Sequence, residues 1–185
     1  MSADRESGET AAILDYWLRT IGPERWWTRD AAIDADIVQR FGGLWESWRS
    51  RTPASFLGSA DDALAAVILF DQFSRNMFRG HADAFSTDSL ALAIAGGAID
   101  RGYDAMVDPE VRPFLYMPFM HSEQLDDQDR SIALFTRLGD ANSLDYAKRH
   151  RDLIARFGRF PHRNAVLGRA DRPGETEAAA EGANW

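Results

Sequence analysis

The sequence predicts an all-α protein of about seven antiparallel helices. Three observations predict it. Apolar residues recur at spacings of three and four along almost the whole chain, and no segment alternates convincingly at period two. Capping residues and glycines punctuate these stretches at helical lengths. The connections between them are short, which favours antiparallel neighbours.

Ala11 to Thr20 carries Ile13, Leu14, Trp17 and Leu18 on one stripe and stops at Gly22-Pro23. Asp30 to Trp48 follows, with Ile33, Ile37, Phe41, Leu44, Trp45 and Trp48 on a face and Gly42-Gly43 as a candidate bend. Ser59 or Asp61 caps a third helix running to about Met77, apolar all round between Leu64 and Phe70 and therefore expected at the centre. Ser86 or Thr87 caps a fourth, Asp88 to Arg101, ended by Gly102. A fifth opens at Asp108-Pro109 and meets a kink at Pro118. Asp126, Asp127 and Asp129 load the first turn of a sixth, which ends at Leu138-Gly139. A seventh runs from about Ser143 to Phe157, with Gly158 as its stop. Residues 1–170 read as a single domain, and 171–185 as a polar tail with few residues able to bury anything.

The 185 residues are 45% hydrophobic and 27% charged, an ordinary globular composition. With no cysteine there is no disulfide, no thiolate nucleophile and no thiolate metal site, a usage that fits the cytoplasm. The longest apolar run, Ala63 to Phe70, is less than half a membrane span, and the N-terminus lacks a signal-peptide pattern. A net charge of −8 argues against nucleic acid as a partner. That charge is uneven: from Lys148 to Arg172 there are eight Lys/Arg against Asp152 and Asp171, leaving −14 for the remainder. Such a segment either docks onto acidic residues of its own chain or forms an anion site.

Polar side chains on apolar helix faces are the candidates for function. Leu64, Ile68, Asp71 and Arg75 share a face of the third helix, so a carboxylate and a guanidinium one turn apart lie along its core line. They form either an ion pair that fixes register or an Arg held by Asp71 to receive an anion. His150 sits in the apolar arc of Tyr146, Ala147, Leu153, Ile154 and Phe157, opposite a face of Asp145, Arg149, Asp152 and Arg156. It is either a hydrogen-bonded core histidine or a proton-transfer group. His121 follows an apolar segment beside Glu123, and His162-Arg163 follow Pro161 in a basic turn. No His-x-x-x-His or Glu-x-x-His spacing calls for a metal, and no glycine-rich phosphate loop or nucleophile elbow calls for a cofactor. The six tryptophans read as packing anchors.

Four stretches carry a resemblance: Leu69 to Gly80 (LFDQFSRNMFRG), Ala84 to Asp88 (AFSTD), Phe114 to Glu123 (FLYMPFMHSE), and Arg149 to Asp152 with Arg159 to Asn164 (RHRD, RFPHRN). Together they resemble the bacterial domain-of-unknown-function family 924 over roughly Ile13 to Arg169. The resemblance implies a tetratricopeptide-like helical fold and no established reaction. It implies polar motif positions at Asp71, Arg75, Asn76, His121, Glu123, His150, Arg151, His162 and Arg163. The chain departs from the family pattern after Gly168-Arg169, where Asp171-Arg172-Pro173-Gly174-Glu175 replaces the usual start of a last helix, so that helix is expected to be absent or poorly formed.

The leading expectation is a domain that binds a small anionic molecule in an inward polar cluster. Arg75 and Arg163 hold the anion, Asp71 orients Arg75, and Asn76, Arg151, His162, His150 and His121 complete the surroundings. A rival expectation is a hydrolytic or isomerising enzyme with His150 or His121 as acid/base and Glu123 as orienter. A third is a peptide- or protein-binding scaffold.

Overall fold

The computed structural model describes residues 2–182, and side chains from 6 to 180. Among them there is no strand, and no helix is long and apolar enough to cross a membrane. The chain gathers into two compact units. The first comprises the chain up to Arg79 with Asp83–Pro118. The second comprises Gly80–Ala82 with the chain from Phe119 on.

In the first unit, α1 (Ser2–Asp15) starts earlier than the apolar stripe suggests and widens into a π-helical turn, Tyr16–Ile21. Gly22, at φ 73°, ends it. Helix α2 (Ala31–Trp48) begins where the Asp30 carboxylate accepts the Ala32 N–H at 2.8 Å. It passes through Gly42-Gly43 without interruption, because Ile37, Phe41, Trp45 and Trp48 are buried on either side of the pair.

Helix α3 (Ala60–Val67) is capped by Ser59 Oγ, which accepts the Asp62 N–H at 3.1 Å. Its line runs on through a second π-helical turn, Ile68–Phe73, into the single turn α4 (Ser74–Met77). From Ala63 to Ser74 every residue is buried, as the all-round apolar sequence requires. The π turn spreads the backbone, and side chains take up its carbonyls. Phe70 O accepts Ser74 Oγ at 2.6 Å and Thr87 Oγ1 at 2.7 Å, and Asp71 O accepts Arg75 Nη1 at 2.7 Å. Edge contacts join the two wide turns, with Phe73 5.4 Å from Trp17 and 6.0 Å from Tyr16 between ring centroids.

Helix α5 (Asp88–Asp100) buries Ala91, Ile94, Ala95 and Ala98 against α3. Helix α6 (Pro113–Met120) opens four residues later than the Pro109 start expected from sequence. Asp108 does organise a turn, its carbonyl accepting the Val111 and Arg112 N–H groups. Pro113 has no N–H to bond back to Pro109, so the turn breaks there and the helix restarts.

In the second unit, α7 (Leu125–Leu138) and α8 (Ala141–Phe157) form an antiparallel pair joined by Gly139 and Asp140. Gly139 takes φ 79°, and Asp140 caps α8 by accepting the Asn142 and Ser143 N–H groups. After Gly158, a 3-10 turn, Pro161–Arg163, leads towards α9 (Glu175–Gly182). This helix lies in the polar tail, where the sequence leads one to expect a last helix that is absent or poorly formed. Its anchor is not apolar bulk but Glu175, fully buried and bonded on both oxygens. Residues 183–185 of that tail lie outside the described residues.

Candidate functional site

The candidate residues fall into two sets, one in each unit. In the first unit, the π turn buries Asp71 completely, and Arg75 Nη1 approaches its carboxylate at 3.2 Å. A second carboxylate, unforeseen in the sequence, completes the arrangement. Asp88 at the start of α5 receives Arg75 Nη1 at 3.0 Å and Nη2 at 3.1 Å, a bidentate fork. Burial pushes the Arg75 pKa down, but the fields of Asp71 and Asp88 and the Asp88 hydrogen bonds outweigh it and hold the guanidinium above its usual value. One guanidinium between two carboxylates has no positive charge left to offer an anion.

Asn76 likewise serves the fold: its Nδ2 donates to Asp34 Oδ1 at 2.8 Å, and Arg79 forks onto the same carboxylate at 2.8 and 2.9 Å. Burial raises the Asp34 pKa, and the Arg79 and Asn76 hydrogen bonds more than reverse this, leaving it low. The first unit also holds a surface cleft of about 370 Å³ between α1 and the start of α3, lined by Thr10, Trp48, Arg51, Phe56, Ser59 and Asp62 among others. None of the sequence-derived candidates lines it.

In the second unit, four candidates converge. The His121 and His150 rings lie 6.3 Å apart between centroids. The buried Phe160 ring is the hub, 5.4 Å from His150, 5.4 Å from His162, and 4.7 Å from Arg163 Cζ. Arg163 Nη2 donates to the His121 carbonyl at 2.9 Å. The remaining carbonyls of that turn are gathered by Gln128, whose Nε2 donates to Met120 O and Ser122 O, both at 2.7 Å, and more weakly to Phe119 O at 3.4 Å. The backbone groups loosened beyond Pro118 are thus met by Gln128 and Arg163, which fixes the stem of His121.

His150 Nδ1 lies 2.8 Å from the Tyr146 carbonyl. A carbonyl can only accept, so Nδ1 carries the proton and Nε2 is the acceptor nitrogen. Burial first, then the fields of His121, His162 and Arg163, push the His150 pKa from its usual 6.5 down to about 3, against the opposing effect of the Tyr146 hydrogen bond.

Glu123 does not take the expected place as orienter of a histidine. Its carboxylate is gripped by Arg169, at 2.7 and 3.0 Å, and accepts the Phe160 N–H at 2.8 Å. Burial raises its pKa, while the Arg169 hydrogen bonds, the Phe160 N–H and the Arg163 field together bring it below the usual carboxylate value. Arg151, expected to bind ligand, is instead paired with Asp129 across α7 and α8. Other arginines of the basic segment are similarly engaged, Arg149 with Asp145 and Arg159 with Glu175. Four donors surround Glu175: Arg159 Nε and Nη2, Asn164 Nδ2 and the Arg172 N–H. The Arg159 hydrogen bonds are the main cause of its pKa falling to about 2. Among the described residues, no three His, Asp or Glu side chains are grouped so as to hold a metal ion.

The family model described as a bacterial protein of unknown function, DUF924, matches residues 13–183. A solved structure of a protein of unknown function from Agrobacterium tumefaciens is 40% identical, with a TM-score of 0.88, over 95% of this chain and 98% of that one. No curated protein matches the chain.

Proposed function

The chain belongs to DUF924, a bacterial family of unknown function, and we propose that its second unit binds a small anionic molecule at the cluster of His121, His150, His162 and Arg163. The observation that carries the reading is the gathering of His150, His162 and Arg163 about Phe160, with the His121 ring beside that of His150, while the neighbouring carboxylate, Glu123, is held by Arg169. Arg163 brings a guanidinium, the group whose planar geometry suits carboxylate or phosphate, to the cluster, with its Nη2 also bonded to the His121 carbonyl. Burial is the main cause of the depressed His150 pKa, and the fields of His121, His162 and Arg163 add to it, in keeping with a positive local potential. Arg75 is left out of this reading, because Asp71 and Asp88 already match its charge.

An enzyme using His150 as acid/base is disfavoured by the same chemistry. A group held near 3 has no proton to give at neutral pH and is a weak acceptor of one. His150 instead serves as a neutral wall of the site, locked in one tautomer.

The test is a titration of the intact protein with inorganic phosphate and with small mono-, di- and tricarboxylates, followed by imidazole NMR signals and thermal unfolding. An anion at 100 times its Kd is expected to add about 2.7 kcal/mol of stability. His162 is exposed, so His162→Ala should leave the unliganded protein intact. It should weaken binding about 10-fold, as expected for loss of one charge-assisted hydrogen bond. If no anion of the series moves the His121, His150 or His162 signals, the proposal fails.

A further inference from the structure

One buried carboxylate grips the chain on both sides of the turn that carries His162 and Arg163. Before the turn, Arg159 donates to Glu175 through Nε at 2.8 Å and Nη2 at 2.6 Å. After it, Asn164 Nδ2 donates to the same Glu175 at 3.0 Å and to Asp171 Oδ1 at 2.7 Å. Asn164 is buried, and its own oxygen accepts Arg169 Nε at 3.0 Å. Arg169 also donates to the Phe160 carbonyl at 3.0 Å and forks onto Glu123. Glu123 in turn accepts the Phe160 N–H. The relay Glu175–Asn164–Arg169–Glu123 therefore ends on both backbone groups of Phe160, whose ring lies against His150, His162 and Arg163.

We infer that Glu175 is a positioning residue for the anion site, and that α9 is built into that site rather than appended to it. The inference rests on the reading of the cluster as an anion site, and it goes beyond it by assigning a role to a helix that contributes none of the contacting groups. A carboxylate surrounded by four donors is an anchor of high precision: each donor loses a charge-assisted bond if it moves. His162 and Arg163 are one and two residues beyond Pro161, so a change at either end of the turn displaces both. A side chain in a binding site is only as well placed as the residues that support it.

The test uses E175Q in the full chain. Glutamine keeps the shape but turns an NH2 towards Arg159, Asn164 or the Arg172 N–H, which are all donors. Two measurements are made well below the unfolding temperature: the His162 and His121 imidazole signals in unliganded protein, and the Kd for inorganic phosphate. L134A, which opens a cavity at a buried position of α7 that makes none of the relay's bonds, controls for lost stability alone. E175Q is expected to move the His162 signals and to weaken phosphate binding by about 10-fold or more. L134A is expected to lower the unfolding temperature while leaving both readouts near wild type. Should E175Q not fold, R159K, which loses the fork onto Glu175, is expected to give the same His162 change. Unmoved His162 signals in the folded variant would overturn the inference. Wild-type protein indifferent to phosphate and every other anion would instead sink the binding proposal, and the imidazole signals of the unliganded variants would still decide the role of Glu175.

Discussion

Replacing Arg75 with alanine is expected to destabilise the first unit by about 3–5 kcal/mol, the usual consequence of removing one partner of a buried ion pair. Asp71 is fully buried on the π turn, and alanine would leave its carboxylate there without the guanidinium. The substitution also takes the Nη1 donor from the Asp71 carbonyl, and both donors of the fork from Asp88. R75K keeps the charge but not the planar fork, so an intermediate loss is expected. Five of the six tryptophans, Trp17, Trp26, Trp27, Trp45 and Trp48, belong to the first unit, so urea unfolding followed by fluorescence reads this effect there. An R75A unfolding free energy within about 0.5 kcal/mol of wild type, the range of an ordinary surface substitution, would show that the triad is not a buried structural unit.

The second large effect is a loss of stability between pH 7 and pH 5 that belongs to His150. Its folded pKa is about 3 and its ordinary value 6.5, so on acidification the unfolded chain takes up the proton first. Its neutral form is therefore compatible with full stability well above pH 6.5, and stability falls as pH drops from 6.5 towards 3. At pH 5 the loss is about 2 kcal/mol, since each unit of pKa difference corresponds to about 1.4 kcal/mol. The groups that hold His150 neutral are its own burial and the facing His121, His162 and Arg163. The depressed carboxyls of Glu123 and Glu175 act in the same direction but in a lower window. Their stabilisation is complete above the ordinary value of 4.5 and is lost as pH falls through their folded values, about 2 for Glu175. Measurements between pH 7.5 and 5 thus lie above the window of these carboxyls, and the H150N comparison assigns the histidine's share. H150N can still donate to the Tyr146 carbonyl but does not titrate, and it is expected to flatten the profile. Equal slopes in H150N and wild type, read from amide signals of the second unit during urea unfolding, would assign the effect elsewhere.

Much of this architecture is legible in periodicity and punctuation. The stripe from Ile33 to Trp48, the caps at Asp30 and Ser59 and the stops at Gly139 and Gly158 are local signals, and each lies where its chemistry requires. The start of α1 is not legible, because Ser2 to Thr10 is polar and has no stripe to reveal it. The π turns are hidden for a different reason. Nothing in Ile68–Phe73 favours five-residue spacing locally; the bonds from Ser74, Thr87 and Arg75 to its carbonyls are what compensate for it. At the second-unit site, an apolar arc points to His150, the end of an apolar segment to His121, and a basic turn after Pro161 to His162 and Arg163. Their partners do not follow from type. Glu123 meets Arg169, 46 positions away, and Arg75 meets Asp88, 13 positions away. A helical wheel reveals which way a charge faces and leaves open what it meets. For Glu175 even the facing is obscured, because the surrounding Asp, Gly, Glu and Ala carry no stripe.

The wide turn Ile68–Phe73 changes what a single rod of helix can reach. Each residue of an α-helix advances the direction of its side chains by about 100°, so a stretch with longer spacing resets that advance for everything downstream. Ala60–Val67 and Ser74–Met77 lie along one line but differ in angular phase, like two throws of a crankshaft. Arg75 can thus turn to Asp88 on α5 while Asn76, its immediate neighbour, turns to Asp34 on α2. The central rod is keyed to two flanking helices by consecutive residues, and any sliding or rotation of one helix alone has to break a charged contact at that point.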